Sequence, residues 1–515
     1  MPRPAPDPDR SPLQRDLRVV TLAWGFGSAW LWIVSGAVMT RFVTAAGMPD
    51  WGFGFLAAIP FLGALSQLPA SWWVNARGGR RALFLVLGTL GRLGFAAAAA
   101  LPWLLPERVP AWPGVVALLL LAWSCMQAVT PAWMNWMSDL IPRRIRGRYF
   151  ARRAGLTTPV ALLASLGSGL LLDAFPGEGP GAGLGLTSAL VAAAGLLGAV
   201  DILLFLRIRD PHTPRNPRKR RERPPFRVAE LFAPLRDRNF RHFLGLNFGF
   251  TLATAFVGQY LWLYVLDAER GLGWSNLRAN LLIIAVPMVL ALFTRPWWGR
   301  MCDRRGKKPV VVLSGSVVCF GAVGWAAMTP DLVWPGYLII LLTTAAWPGM
   351  ELANFNFLLE FSRDADRSRR DERGAGAQSA ALLAVATAVA GGLSGLLGGA
   401  VAHALADWSL AWSLPGWLPL GLGGVAGVLS FFHVLFGLST LIRIAGLCFA
   451  FGLREPAATG TRDVVRLMAG GLYNNVRVAA TTPVRLPGTG RRWAYRIGER
   501  RGRRAGADGD RARSA

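Results

Sequence analysis

The sequence predicts an all-α membrane protein with twelve spans in two pseudo-symmetric six-helix bundles. Three observations carry that prediction: apolar runs of bilayer-crossing length recur along the 515 residues, basic residues gather in alternate connections, and the second half repeats features of the first. A membrane helix needs about twenty mostly apolar residues. The stretch NLLIIAVPMVLALFTRPWW before Gly299 is one such run, and the dense charges that follow it read as a loop between two spans.

Composition agrees. With 53% hydrophobic residues and 22 Trp, and a mean hydropathy of +0.37, the chain is too apolar for one soluble core. Cys125, Cys302, Cys319 and Cys448 lie in apolar stretches or on the basic side, which suggests reduced packing residues and no disulfide framework. The polar start MPRPAPDPDRSPLQRDLRVV leads into a run without a small-residue cleavage site, so no cleaved signal peptide is expected.

In order, helices are expected over 19–41, 51–74, 82–105, 112–138, 153–173 and 184–206, then 242–266, 277–298, 309–328, 333–360, 376–404 and 418–452. Internal Pro and Gly do not veto these runs, because neighbouring helices satisfy the freed backbone groups. The domain plan is a 1–18 terminal segment, a 19–206 bundle, a Pro-rich basic linker over 207–241, a 242–452 bundle, and a basic, largely disordered tail over 453–515. Placing both termini and the connections after even-numbered spans on one side collects nearly all of the 56 Lys and Arg there. By the positive-inside rule that side is the cytoplasm, and the location expected is a bacterial inner membrane. The net charge of +27 then implies contact with anionic lipid headgroups. Nucleic-acid binding by RNPRKRRER (215–223) or GRRWAYRIGERRGRRAG (490–506) is the sharper reading of those charges and is not adopted; a monomer is expected.

Sliding the first half onto the second lays Pro69 on Pro296, Arg77 on Arg304, Gly79 on Gly306, Arg80 and Arg81 on Lys307 and Lys308, and Arg146 and Gly147 on Arg373 and Gly374. A slightly smaller shift aligns AWMNWMSDL (132–140) with ANFNFLLEF (353–361), so that Asn135 meets Asn356 and Asp139 meets Glu360. Six-span repeats point to a secondary transporter with its site between the halves, near the midplane.

In GRMCDRRGKKPVVVLSG (299–315), Gly299, Asp303, Arg304, Gly306, Lys307 and Lys308 fill every position of a short signature, and the chain thereby resembles the major facilitator superfamily. The resemblance implies that this segment joins the second and third spans of a half, and that its aspartate and basic residues hold the cytoplasmic side closed until the halves rock. An aspartate at a helix end can accept hydrogen bonds from a neighbouring helix N-terminus or from Arg. The first-half copy, WWVNARGGRRA (72–82), departs from the pattern: Trp72 and Ala76 replace the glycine and aspartate, leaving Arg77, Gly79, Arg80 and Arg81. A second cluster, SDLIPRRIRGRYFARR (138–153), offers Asp139 and Arg146 as a gate pair or as ordinary anchoring charges.

The resemblance also implies that spans 1, 4, 7 and 10 line the central cavity. This gives Trp30, Trp32 and Ser35; Gln127, Thr130 and Asn135; Thr251, Thr254, Gln259 and Tyr260; and Glu351, Asn354 and Asn356. Ionisable groups inside spans face cavities or one another, since lipid exposure is costly. Glu351 is the first choice for a protonatable group, with a structural ion pair to Arg443 as the alternative. Arg92 and Asp201 lie at similar depth and form a second candidate pair. Gly391, Gly395 and Gly399 make a ridge suited to close helix packing.

The sequence holds no H-E-x-x-H, G-x-S-x-G or phosphate-loop pattern, and its four histidines lack metal-ligand spacing. The Gly-x-Gly-x-x-Ala at 421–426 sits in an apolar run without a preceding strand, so it is no dinucleotide fingerprint. The reading is therefore not an enzyme, without cofactor or metal, but a secondary active transporter of a small solute, with proton coupling as an option. A transporter-shaped sensor or scaffold that moves nothing stays open as the alternative.

Overall fold

The computed structural model describes residues 10–77, 79–106, 108–177, 183–211, 231–368, 375–413, 415 and 426–455. The N-terminal residues, the core of the 207–241 linker with its RNPRKRRER run, Arg373 and Gly374, and the basic tail from 456 onward lie outside the described residues.

Among the described residues, twelve helices are long and apolar enough to cross a membrane. Spans 1 to 6 are Pro12–Val34, Asp50–Val74, Arg80–Leu104, Trp112–Leu140, Arg144–Ala174 and Leu184–Arg207. Spans 7 to 12 are Arg238–Leu266, Asn276–Arg305, Lys307–Ala326, Trp334–Phe361, Gln378–Ala404 and Phe431–Gly452. Span 1 breaks at Ser35–Gly36 and continues as a short helix, Ala37–Ala45. The side where spans 2 and 3, 4 and 5, and 8 and 9 meet carries most of the charge and is called the basic side below.

The ends of these helices follow local chemistry. Spans 2 and 3 turn at Gly79 (φ +71), and spans 8 and 9 turn at Gly306 (φ +96), left-handed backbone that glycine adopts without a Cβ penalty. Pro142 separates spans 4 and 5. At the start of span 7 the Asp237 carboxylate accepts from the Asn239 N–H, and at the start of span 8 the Ser275 hydroxyl accepts from the Arg278 N–H.

Two expectations are corrected. The charges from Arg300 to Arg305 do not form a loop: span 8 stays helical through Arg305, and Gly306 alone separates it from Lys307. Span 12 does not begin near 418. Among the described residues Ala426–Ser430 is a strand, paired antiparallel with Ser409–Ser413, and the helix starts at Phe431 where the Ser430 and His433 side chains form a capping box.

Apolar packing divides the molecule unequally. At the end away from the basic side, one core draws on both halves, with Trp30, Phe42, Phe53 and Phe95 meeting Phe256, Tyr260, Tyr264 and Phe431. Toward the basic side the halves have separate cores: Val20, Phe84, Trp136 and Phe205 in the first, and Phe240, Phe243, Trp298 and Phe357 in the second. Lipid tails are as apolar as these side chains, so close packing and hydrogen bonds, rather than escape from water, hold such helices together.

Candidate functional site

On the basic side each half closes on its own cluster of charges. Arg80, the first residue of span 3, sits just after the glycine turn, which aims its guanidinium across the bundle end. Its Nη1 donates to Asp139 Oδ2 at the end of span 4 (2.5 Å), and its Nη2 and Nε donate to Asp210 Oδ1 beyond span 6 (2.5 and 3.1 Å). The second half repeats the arrangement. Lys307 begins span 9 and its ammonium binds Glu360 at the end of span 10 and Glu455 beyond span 12. Glu455 also accepts from the backbone N–H groups of Lys307 and Lys308 (3.1 and 2.7 Å), which are free donors at a helix N-terminus.

The remaining signature residues are placed as follows. Asp303 is exposed and has no hydrogen bond or ion pair among the described residues, and Gly299 and Arg304 stand beside it in the last turns of span 8. Lys308 Nζ donates to the Phe451 carbonyl and Arg81 to the Leu206 carbonyl. Arg146 does not pair with Asp139; it donates to the carbonyls of Ser138 and Ile141, which helix termination leaves without partners. The Arg77 side chain lies outside the described residues.

The four intramembrane charges singled out from the sequence, Arg92, Asp201, Glu351 and Arg443, each have a partner, but not all as expected. Arg92 Nη2 donates to Asp201 Oδ2 (2.8 Å), both side chains are buried, and the guanidinium lies 3.5 Å over the Trp30 ring. Glu351 does not meet Arg443. It is half exposed, accepts from Trp347 Nε1 (2.9 Å) and forms an ion pair with Arg295 of span 8 (3.3 Å). Arg443 is buried and donates instead to the Val318 carbonyl of span 9 (3.0 Å). The helix of Arg295 ends at Arg305 and that of Glu351 runs on to Ser368, so spacing from the helix ends gives no sequence signal that pairs them.

The other proposed lining residues do not share one surface. Trp30 packs inside the first half against Phe95 and Trp123, and Tyr260 is buried in the inter-half core, donating to the Trp51 carbonyl. Trp32 packs partly buried against the same core, with Ser35 at the break of span 1. Gln127 faces span 2, accepting from Gln67 and donating to the Pro60 carbonyl. Thr130 lines a cavity within the first half. Asn135 is exposed; Thr251, Thr254, Gln259, Asn354 and Asn356 are half-buried, and Asn354 Oδ1 has no donor among the described residues.

The contacts between halves lie elsewhere. Among the described residues, every hydrogen bond and ion pair joining them is at the end opposite the basic side. Asp173 at the end of span 5 accepts from the backbone N–H groups of Asn276 and Leu277 and from Asn276 Nδ2, each at 2.8 Å, and so caps span 8 from across the interface. Asn280 donates to the Ser165 carbonyl and accepts from the Ala37 N–H. Arg41 donates to Asn276 and to the Leu266 carbonyl, and Arg270 pairs with Asp50 at 2.7 Å. Outside the spans, burial tends to lower the Arg270 pKa, but Asp50 and Asp267 outweigh it and hold the group above its ordinary value. The Gly391, Gly395 and Gly399 ridge packs against span 2, where a Cβ at Gly399 would stand 2.8 Å from the Trp51 carbonyl oxygen. This clasp was not singled out from the sequence, since polar residues at span ends are ordinary.

Repeated bundles, mirrored charge clusters and a one-ended interface between halves describe a known architecture, and the model of the family described as Major Facilitator Superfamily matches residues 21–377. The chain belongs to this superfamily of membrane transporters. No curated protein matches it. Similar solved structures include a mutant of the nucleoside transporter NupG, at 12% identity and TM-score 0.58, covering 86% of this chain and 100% of that one. A bacterial homologue of the human lysosomal transporter Spinster, in an inward-facing and unoccupied conformation, aligns at 13% identity and TM-score 0.58, covering 87% and 100%. A D-xylose–proton symporter aligns at 17% identity and TM-score 0.55, covering 84% and 96%. These likenesses concern the fold.

Proposed function

We propose that this superfamily member is a secondary active transporter that carries a small organic solute by alternating access, the two bundles rocking about a site between them. The observation that supports this reading is the one-ended interface: the halves share a core and a polar clasp at one end and keep separate cores and separate charge clusters at the other. Taking the basic side as the cytoplasm, in contact with anionic headgroups, the molecule is open inward and both termini are cytoplasmic. A monomer is sufficient, since each chain supplies both halves.

In this reading the exposed polar groups of spans 4, 8 and 10, namely Asn135, Arg295 and Glu351, face the cleft rather than lipid. Glu351 is the group that exchanges its Arg295 partner for a proton during the cycle. The outward-facing form requires Asp303 to gain the partner it lacks here, which gives the superfamily signature its role in closing the cytoplasmic side. Uptake and counterflow in liposomes across a solute panel test the proposal. Substrate-dependent counterflow is expected, with solute-driven proton flux lost in Glu351→Gln; no counterflow by any solute contradicts transport, and proton flux that survives the substitution removes Glu351 from coupling.

A further inference from the structure

Within the first half, between spans 1, 3, 4, 5 and 6, lies a cavity of about 440 Å³, within the range of roughly 300–1,000 Å³ typical of small-molecule sites. All of its lining side chains belong to the first half, and its chemistry is unusual for membrane depth. Arg92 and Arg153 both line it with Asp201, so two cations face one anion. Both arginines are more than nine-tenths buried, at 2% and 8% exposure.

Their hydrogen-bonding capacity is largely unused. Arg92 commits Nη2 to Asp201, while its Nε and Nη1 are buried without an acceptor. Arg153 Nε is likewise buried without one, and among the described residues no side-chain nitrogen of Arg153 has a hydrogen-bond acceptor. Three rings surround its guanidinium: Trp24 at 4.8 Å, Trp133 at 5.4 Å and Phe150 at 5.7 Å. Ring faces answer part of the charge but accept none of the in-plane N–H groups. Leaving a buried donor unsatisfied is costly, and more so for a charged one. A guanidinium presents parallel N–H groups that match a carboxylate.

We propose that this cavity is a binding site for an amphipathic organic monoanion, a carboxylate with an aromatic or branched apolar body. The carboxylate accepts from the Arg153 guanidinium, Arg92 adds its positive charge, and the apolar body lies against Trp24, Trp133 and Phe150. One excess positive charge sets the preference for a monoanion, and Asp201 disfavours a second negative charge. Trp24 and Trp133 are only partly buried, which leaves the cavity an entrance. The site lies inside one half and therefore does not depend on the transport reading.

Calorimetric titration of the purified full-length protein in neutral detergent tests this, with benzoate, indole-3-acetate and 4-phenylbutyrate as probes and 4-phenylbutyramide as the uncharged counterpart. Saturable binding of at least one carboxylate is expected, with 4-phenylbutyrate at least tenfold tighter than its amide. Arg153→Gln should weaken carboxylate binding at least tenfold, and Trp133→Leu, which keeps both arginines, should weaken it as well. Equal affinity for acid and amide, unchanged affinity in Arg153→Gln, or no saturable binding of any of the three acids overturns the proposal. The acid and amide comparison on the unaltered protein decides the charge requirement even where Arg153→Gln fails to fold.

Discussion

The two ends of the bundle are built from the same kinds of residue and put them to opposite uses. At the basic end, charged side chains bind within a half: Arg80 gathers Asp139 and Asp210, and Lys307 gathers Glu360 and Glu455. At the other end, Asp173, Asn276, Asn280, Asp50 and Arg270 bind between halves. Under the proposed rocking of the halves, bonds within a half travel with it, whereas bonds across the interface break. A clasp that must break needs a strength of a few kcal/mol, enough to favour one state without locking it.

The largest expected effect sharpens this contrast by touching only one half. Arg92→Gln or Asp201→Asn leaves its partner buried and unpaired, a loss of about 3–5 kcal/mol. Protein yield and thermal stability should fall while the balance between the ends is unchanged. Exchanging the two residues should restore yield, and failure of that rescue would argue against a pairwise role. Next comes the clasp. Asp173→Ala removes three charge-assisted bonds, of which the charged acceptor accounts for about 1.5–3 kcal/mol. A cysteine replacing the buried Ser165 in a background without native cysteines should then react faster with a membrane-impermeant maleimide; an unchanged rate would count against the clasp.

A smaller shift in the same direction is expected from Gly395→Ala, whose Cβ would meet the Ala58 backbone nitrogen at 2.8 Å, an overpacking cost of about 1–3 kcal/mol. Gly437→Ala, with open space around its site, is the silent control in the same labelling assay. The smallest effect on this state is expected for Asp303→Asn, which has no partner to lose among the described residues. Its melting temperature should match the unaltered protein, and its uptake rate should fall because the other state needs the carboxylate; equal uptake would remove Asp303 from the cycle.

Much of the architecture was legible because bilayer thickness imposes run length, and because repeated halves repeat their chemistry. The alignment of Arg80 with Lys307 and of Asp139 with Glu360 found two members of each charge cluster before any packing was known. Asp210 and Glu455 escaped notice because they lie just past the last span of each half, where an acidic residue costs nothing in water. Arg92 and Asp201 were legible by depth, whereas Arg295 and Glu351 stand at unequal distances from their helix ends and are paired only by packing. The interface between halves was not legible: which face of span 5 meets span 8 depends on packing across the whole bundle. The strand Ala426–Ser430 was hidden by hydropathy, which does not distinguish an apolar strand from the start of a helix.

The central claim is that the two ends open and close in opposition, and distances between spin labels at both ends test it most directly. One pair, Met134→Cys and Phe355→Cys, sits at equivalent exposed positions on the basic halves of spans 4 and 10; the other, Arg108→Cys and Asp331→Cys, sits on exposed residues at the opposite end. When Asp173→Ala and Asn280→Ala release the clasp, the account predicts that the first distance shortens while the second lengthens. Two distances that stay fixed, or that lengthen together, would contradict it.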